Sequence, residues 1–348
     1  MGGDLDDLIR MARVDRSDMT GAIGRFPDHF LEINKHSNDV EFASRRPDPQ
    51  NLVLMGMGGS ASAADVALDW FRDEIEVPAI VQREPHLPGF VDSNTLFIAI
   101  SYSGQTSETL SAFQEARRRG SNLVGIGAGG KLASICRSFN VPFVGVTPAI
   151  APRAALGQLI VATANALEAL DLVHRTSRGM LNAGKELVRL RTRVKKETPL
   201  ANNPAKRLAR KLQARFTVAY SLQRMSSVAR RFKNQLAENS KVAAKYDVLP
   251  EAGHNEVEAW HPQGLPLLPL IIRDWKESRF ETDIVGAFSS TIRSASHTEP
   301  VEVRLRGQNR LSRLLLPIFF LDYVSVYLAV LRNVDPTPTP LIDEYKKR

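Results

Sequence analysis

Short runs of apolar residues alternate with longer amphipathic stretches in the first half of the chain, and this alternation limits the folds that it can adopt. The apolar runs predict strands at Asn51–Met55, Pro78–Gln82, Asn94–Ser101, Asn122–Gly127 and Val141–Val146. The stretches between them, such as 60–73 and 106–119, have the length and pattern of helices. Continuous apolar strands that alternate with helices are typical of a parallel sheet covered on both faces, so we predict an α/β fold with three αβα layers.

The second half of the chain repeats this plan less clearly. Strands are predicted at Phe216–Tyr220, Asp247–Leu249, Leu267–Arg273 and Val301–Leu305, and helices at Leu222–Lys241, Glu277–Ser294 and Asn309–Asn333. A strand, a turn and a helix open each half, which favours a duplicated unit. The length of 348 residues suits two domains. We predict a helical N-terminal extension over 1–48, a first domain over 49–155, and a connecting helix, a second domain and a C-terminal helix over 156–348.

The composition and the first residues of the sequence indicate what kind of protein this is and in which compartment it works. The chain is 43% hydrophobic and 24% charged, as globular proteins are, and its one cysteine, Cys136, excludes an intrachain disulfide. Asp4, Asp6 and Asp7 stand where a secretory signal has basic residues and an apolar core. We therefore expect a cytoplasmic protein.

One apolar run, Leu314–Leu331, is long enough to raise the question of a membrane. Asp322 and Pro317 interrupt the run, and Arg313 and Arg332 close it. Charged residues are costly inside a bilayer, so we predict a buried core helix and no membrane partner.

The positive charge is concentrated in one region. Residues Lys185–Lys233 carry a net charge of +13, so the rest of the chain carries −5 of the total of +8. This region lacks interleaved aromatic residues and any recognisable nucleic-acid-binding signature. We expect solvated helix faces and a field that steers an anionic substrate, and no nucleic-acid partner.

Two turns of the first half have the residues that bind phosphate. Gly56–Ser62 (GMGGSAS) and Ser101–Thr109 (SYSGQTSET) each follow a strand and begin a helix. Glycines allow close approach of the backbone, and a helix N-terminus offers free N–H groups to an anion. The alternative for the second turn is a helix cap completed by Glu108, but its several hydroxyl groups exceed what a cap needs. No Gly-Lys-Ser/Thr sequence follows, so ATP hydrolysis is not indicated.

These turns resemble the sugar isomerase (SIS) fold, which binds phosphosugars. Three further stretches, Ala151–Gly157 (APRAALG), Asn234–Lys241 (NQLAENSK) and Leu249–Glu256 (LPEAGHNE), narrow the resemblance to bifunctional phosphoglucose/phosphomannose isomerases. The resemblance runs in order from about Met55 to the C-terminus. It implies two SIS domains that face each other with the substrate between them, in a homodimer.

The resemblance also implies which residues bind the substrate. The 6-phosphate ligands would be Ser101, Ser103, Gly104, Gln105 and Thr106, the glycine and glutamine through backbone N–H groups. Gly59 and Ser60 would lie against the sugar. This chain has Ala61 and Ala64 where the family usually has glycines. Ala61 would be strained at positive φ, and favourable in a first helical turn.

Three residues would carry the reaction. Arg153 would stabilise the enediolate, Glu238 would transfer the proton, and His254, contributed across the dimer interface, would open the sugar ring. One carboxylate over a planar enediol serves both carbons, and an arginine keeps its charge beside the anion. The structural alternatives are a solvated partner of Lys241 for Glu238, a loop histidine for His254, and a helix-terminal contact for Arg153.

The C-terminal sequence Asp335–Pro340 (DPTPTP) completes the implied site. The resemblance associates a threonine there with mannose 6-phosphate and a lysine, Lys346, with the ring oxygen. Thr339 is the preferred threonine and Thr337 is the alternative. We expect no metal and no cofactor, because the seven histidines form no ligand cluster in the sequence.

The predicted activity is the interconversion of fructose 6-phosphate with glucose 6-phosphate, mannose 6-phosphate or both, through a cis-enediolate. One alternative is a non-catalytic SIS regulator that binds a phosphosugar, although 1–48 shows no evident helix-turn-helix. The other is an aminosugar-phosphate isomerase, which would share the phosphate site.

Overall fold

The computed structural model describes residues 5–32, 48–261 and 266–346. The chain divides into two compact units: the first unit is Phe26–Lys185, and the second unit is Met1–Arg25 together with Glu186–Arg348. Each unit holds one parallel sheet with helices, which confirms the predicted α/β class. Of the predicted extension, the structure shows three short helices, and residues 33–47 lie outside the described part. The helices are α1 (Leu8–Val14), α2 (Met19–Gly24) and α3 (Phe26–Leu31).

The first unit contains a five-stranded sheet in the order β2-β1-β3-β4-β5. Its strands are β1 (Asn51–Met55), β2 (Ala79–Gln82), β3 (Thr95–Ile100), β4 (Asn122–Gly127) and β5 (Phe143–Gly145). Its helices include α4 (Gly58–Trp70), α5 (Ser107–Arg118), α6 (Gly130–Ser138) and α7 (Leu156–Ala169). All five predicted strands are present. β2 begins one residue late because Pro78 has no N–H group for the ladder, although its carbonyl accepts from Leu52 N at 2.9 Å.

The centre of this sheet determines where the site lies. β3 is buried along its whole length and pairs with β1 on one side and β4 on the other. Phe97, Phe113 and Leu132 belong to the apolar core on one face of the sheet. Because the strands are parallel, the turns that follow β1, β3 and β4 meet at one edge, the usual ligand edge of such sheets.

The second unit contains a four-stranded sheet in the order β7-β6-β8-β9. Its strands are β6 (Phe216–Leu222), β7 (Ala244–Leu249), β8 (Leu267–Arg273) and β9 (Val301–Arg304). Its helices are α9 (Pro204–Leu212), α10 (Ser226–Glu238), α11 (Arg279–Ser296), α12 (Arg310–Leu331) and α13 (Pro340–Tyr345), and α8 (Thr176–Val194) contains the boundary between the units. The predicted helix 222–241 is shorter, because β6 continues to Leu222 and a single 3₁₀ turn precedes α10.

The long apolar run forms α12, as predicted, and the protein itself covers it. By length and composition α12 passes the test for a membrane span, but 94% of its apolar window is buried inside the structure. Asp322, its one acidic residue, lies among the buried residues of α12 and is itself buried. The prediction of a buried core helix is therefore confirmed.

Two lysines of the basic region Lys185–Lys233 form ion pairs with aspartates near the N-terminus. Lys206 is fully buried, with its Nζ 3.0 Å from Asp6 Oδ1 and 2.8 Å from the carbonyl of Lys196. Lys196 in turn lies 2.9 Å from Asp18 Oδ1, and this hydrogen bond raises the pKa of Lys196. Lys206 is therefore an internal cation of the second unit, whereas Lys196 forms a solvent-exposed pair at its surface.

Candidate active site

The turn between β3 and α5 presents hydroxyl groups beside an uncapped helix end. Ser101 is buried and its Oγ lies 3.2 Å from Thr106 Oγ1, so the two hydroxyls bond each other. Thr106 makes no side-chain cap bond to α5, and Glu108 accepts from the Ser107 hydroxyl at 3.0 Å instead of closing a capping box. The capping alternative is therefore not realised in the described turn. The first-turn N–H groups of α5 and these hydroxyls suit an anion.

The predicted backbone donors of this turn have internal partners. Gly104 N donates to Ser101 O at 3.0 Å, and Gln105 N donates to Ser103 Oγ at 3.2 Å. The side chains of Ser103 and Gln105 are exposed. Phosphate binding by these two N–H groups remains a prediction.

We call the turn at Ser101–Thr106 the phosphate turn. The neighbouring turn after β4 supports it. Gly104 has φ +64°, and a Cβ there would lie 1.9 Å from the carbonyl oxygen of Gly129. Gly130 has φ +70°, and a Cβ there would lie 2.3 Å from the carbonyl oxygen of Ser103. Leu132 N donates to Gly104 O at 3.0 Å. Gly129 and Gly130 lie against the turn at Ser101–Thr106 because they follow β4, the strand beside β3, at the same edge of the sheet.

The turn after β1 lies against the phosphate turn, because β1 and β3 are neighbours. Gly58 takes φ +51° and begins α4, and Ser60 Oγ accepts from Tyr102 N at 3.2 Å. Ala61 and Ala64 are buried within α4 and have negative φ. Of the two possibilities considered for Ala61, the structure therefore shows the favourable one, a place in the first helical turn.

Arg153 lies beside the turn that follows β1, Gly56–Ser62. It is 4% exposed, in a 3₁₀ helix at Pro152–Ala155. A Cβ on Gly59 would lie 3.2 Å from the carbonyl oxygen of Pro152, so glycine allows this helix to come close. The Tyr102 hydroxyl donates to Ala149 O at 3.0 Å and accepts from Ala149 N at 2.5 Å. The first unit thus brings Gly59, Ser60 and Arg153 together, and Tyr102 is a residue that the sequence analysis missed.

Glu238 is the last residue of α10 in the second unit and is half-buried. The residues after it are anchored to α12: Asn239 Nδ2 donates to Ser325 Oγ at 2.9 Å, and Ser240 Oγ donates to Ser325 O at 2.6 Å. The Lys241 ammonium group donates to the carbonyl oxygen of Glu238. The helix end that carries this carboxylate is therefore fixed by buried contacts.

Lys241 also connects this helix end to the C-terminal threonines. Its Nζ lies 3.4 Å from the carbonyl oxygen of Pro336. The hydroxyl oxygen of Thr337 is buried, whereas Thr339 is half-buried and makes no side-chain cap bond to α13. Lys346 is exposed at the end of α13. Within the second unit, the structure therefore brings the segments that carry Glu238 and the threonines together.

His254 is exposed on a short 3₁₀ helix after β7. A buried network holds the loop: the Tyr220 hydroxyl donates to Glu256 Oε1 at 2.8 Å and accepts from Trp260 Nε1 at 3.0 Å. Lys245 also pairs with Glu256. Burial raises the pKa of Tyr220, so this hydroxyl remains a donor at neutral pH. These contacts hold the base of the loop, and His254 itself is exposed.

No three His, Cys, Asp or Glu side chains group as a metal site in the portions of the chain that the structure describes. The expectation of a metal-free reaction remains a prediction. The chemistry that the described groups offer is anion binding at the turn Ser101–Thr106, a buried arginine whose backbone lies beside Gly59 in the same unit, and a carboxylate and an imidazole in the second unit.

Comparisons with known proteins find matches to both halves of the chain. Residues 48–170 match the model of the SIS domain, and residues 201–348 match that of the bacterial phospho-glucose isomerase C-terminal SIS domain. A bifunctional phosphoglucose/phosphomannose isomerase of Caldicellulosiruptor bescii is 32% identical, over 95% of this chain and 98% of that protein. One of Aquifex aeolicus is 30% identical, over 86% and 90%.

A solved structure supports the fold. The C-terminal domain of glucosamine-fructose-6-phosphate aminotransferase from Francisella tularensis matches with a TM-score of 0.69 at 14% identity. The match covers 92% of this chain and 97% of that one. At this identity the likeness concerns the fold alone.

Proposed function

Because this chain belongs to the family of bifunctional phosphoglucose/phosphomannose isomerases, we propose that it interconverts fructose 6-phosphate with both glucose 6-phosphate and mannose 6-phosphate. It is an aldose–ketose isomerase, an intramolecular oxidoreductase. The observation that carries the substrate class is the turn at Ser101–Thr106, where paired hydroxyls adjoin the uncapped end of α5. Such an arrangement suits a phosphate dianion.

The reaction moves a carbonyl group between C1 and C2. A base removes the proton from one carbon, an enediolate forms, and the same base returns the proton to the other carbon. We assign this transfer to Glu238, whose helix end is held by buried contacts to Ser325. Arg153 is assigned to the enediolate, because a buried guanidinium interacts more strongly with an anion than one in water does.

Ring opening needs an acid–base group near the ring oxygen. His254 suits this step because a neutral imidazole has one nitrogen that donates a proton and one that accepts it, and its exposed position makes it available across a homodimer interface. Lys346 is assigned to the ring oxygen. These roles, the homodimer and the cytoplasmic location are part of the proposal.

Thr339 is the better candidate for the threonine that accepts mannose 6-phosphate. Its side chain is half-buried and makes no cap bond to α13, whereas the hydroxyl oxygen of Thr337 is buried. Thr339→Val should lower the ratio of mannose 6-phosphate to glucose 6-phosphate formed early in the reaction. The same change at Thr337 should leave that ratio unaltered, and the reverse pattern would transfer the role.

Incubation with fructose 6-phosphate tests the activity directly. The purified full chain should form glucose 6-phosphate and mannose 6-phosphate, resolved by anion-exchange chromatography. In D2O the products should carry deuterium at C2, because the abstracted proton exchanges with solvent. If only one of the two aldose phosphates formed, the activity would be limited to that sugar. Binding of fructose 6-phosphate without any product would favour a phosphosugar-binding regulator, and ammonia release from glucosamine 6-phosphate would favour an aminosugar enzyme.

Glu238→Gln tests the base. The variant should lose about 10²–10⁴-fold in kcat. It should still bind glucitol 6-phosphate, a substrate-like phosphate without a carbonyl, as measured by calorimetry. Glu258→Gln, at an exposed glutamate of the same unit, is the matched control and should keep full activity. Near-normal turnover by the Glu238 variant would exclude the assigned role.

A further inference from the structure

Tyr102 lies where three segments of the candidate site meet in the first unit. Its backbone N–H donates to Ser60 Oγ at 3.2 Å, and its carbonyl accepts from Ala128 N at 2.8 Å. Its hydroxyl both donates to and accepts from the backbone of Ala149. The backbone of Tyr102 is therefore fixed within the phosphate turn, while its side chain reaches the segment that leads to Arg153.

That segment has few other attachments. Thr147 is held by Gln158 Oε1, which accepts from its N–H at 2.8 Å and from its hydroxyl at 2.7 Å. Pro148 and Ile150 are exposed. Among the described residues, those at 148–151 form hydrogen bonds with only two partners. One is the adjoining 3₁₀ helix, and the other is Tyr102. The tyrosine hydroxyl is thus the mid-segment anchor between Thr147 and Arg153.

We propose that Tyr102 is a positioning residue that couples the phosphate turn to Arg153 through Ala149. The inference rests on the proposed function, because it assumes that Arg153 faces the enediolate. Tyr102 itself need not touch substrate. Its hydroxyl holds Ala149, and Ala149 sets the entry of the 3₁₀ helix that carries the guanidinium. A displacement of that group by about 1 Å can lower turnover about 100-fold.

Tyr102→Phe removes the hydroxyl and keeps the ring. We expect kcat to fall roughly 10- to 100-fold, with little change in KM. Two ligands separate the effects in calorimetry. Glucitol 6-phosphate reports the phosphate turn and should bind within about twofold of wild type. Arabinonate 5-phosphate, whose planar carboxylate imitates the enediolate, should bind about tenfold more weakly. Tyr246→Phe, which removes a hydroxyl without a hydrogen-bond partner among the described residues, is the matched control and should change neither affinity.

A double-mutant cycle tests whether the effect passes through Arg153. In an Arg153→Ala background, Tyr102→Phe should weaken arabinonate 5-phosphate no further, because the group that it positions is gone. Additive losses would overturn the coupling. Ala149→Pro removes the N–H that donates to the Tyr102 hydroxyl and leaves the carbonyl acceptor, so it should weaken arabinonate 5-phosphate in the same direction as Tyr102→Phe, and it replaces that variant if Tyr102→Phe proves unstable.

The outcomes distinguish this inference from the proposed function. A wild-type protein without isomerase activity would contradict the function. An active wild type together with a Tyr102→Phe variant of unchanged kcat and unchanged affinity for arabinonate 5-phosphate would overturn the inference alone. Equal weakening of both ligands would also overturn it, because the tyrosine would then only maintain the phosphate turn.

Discussion

Arg231 and Asp322 form a buried ion pair between α10 and α12. Arg231 Nε lies 3.1 Å and 3.2 Å from the two carboxylate oxygens, and a terminal nitrogen lies 2.6 Å from Oδ2. Both side chains are about 95% buried. Because Glu238 lies two turns further along α10, this pair helps to fix the helix that carries the proposed base.

Asp322→Leu should destabilise the second unit strongly. The change leaves the Arg231 guanidinium buried without its carboxylate, which typically costs about 3–5 kcal/mol in the free energy of unfolding. A double variant with Arg231→Met should recover most of that loss, because no buried charge remains. Urea denaturation of both variants measures the difference.

The exposed pair between Arg293 and Glu299 supplies the control. Its two bonds measure 2.5 Å and 2.8 Å, yet both side chains are more than half exposed. Water screens such a pair, so Glu299→Gln should leave the urea midpoint unchanged. If the double variant Arg231→Met/Asp322→Leu is as unstable as Asp322→Leu alone, the loss of stability comes from packing rather than from the unpaired charge.

Gly104→Ala should disrupt the phosphate turn. Glycine takes positive φ here, and a Cβ would overlap the carbonyl oxygen of Gly129. We expect a loss of about 1–3 kcal/mol in the free energy of unfolding and at least tenfold weaker binding of glucitol 6-phosphate. Gly89→Ala is the control, because no atom lies within 4 Å of its added Cβ. Unchanged affinity in the Gly104 variant would separate this turn from phosphate binding.

Much of the fold could be predicted because its signals are local. The strands of both sheets are continuous apolar runs, as buried parallel strands must be. Local signals could not predict that the N-terminal helices α1 and α2 belong to the second unit. Lys206 and Asp6 are 200 positions apart, and neither has a neighbouring pattern that indicates the other.

The site shows the same limit. The hydroxyls of the Ser101–Thr106 turn are recognisable because they are consecutive and follow a strand. Tyr102 lies inside that motif, but its contact with Ala149 spans 47 positions and depends on how two loops meet. Ser325 likewise supports the Glu238 helix end from within an apolar run, where a single serine carries no signal.

Ala61→Gly tests how the chain tolerates its departure from the family pattern. Ala61 occupies the first turn of α4, where glycine costs about 0.5–1 kcal/mol relative to alanine. The variant should therefore be less stable by about that amount in urea and should keep its activity. The converse change at Gly58, which takes φ +51° in open space, should also destabilise because alanine is strained there. A gain in stability in Ala61→Gly would contradict the structure.

Cys136 should make stability fall at high pH. Its side chain is buried in the core of the first unit, and burial raises the pKa of the thiol from 9.0 to about 12. Between those pH values the unfolded chain loses the thiol proton and the folded chain keeps it. The stability of the wild type relative to Cys136→Ala should therefore be constant below about pH 8 and decline above pH 9, by up to about 1.4 kcal/mol per pH unit. Urea denaturation of both proteins at pH 7 to 10 measures this, with thiol labelling in urea as the control for ionisation. Parallel pH profiles would contradict the burial of the thiol.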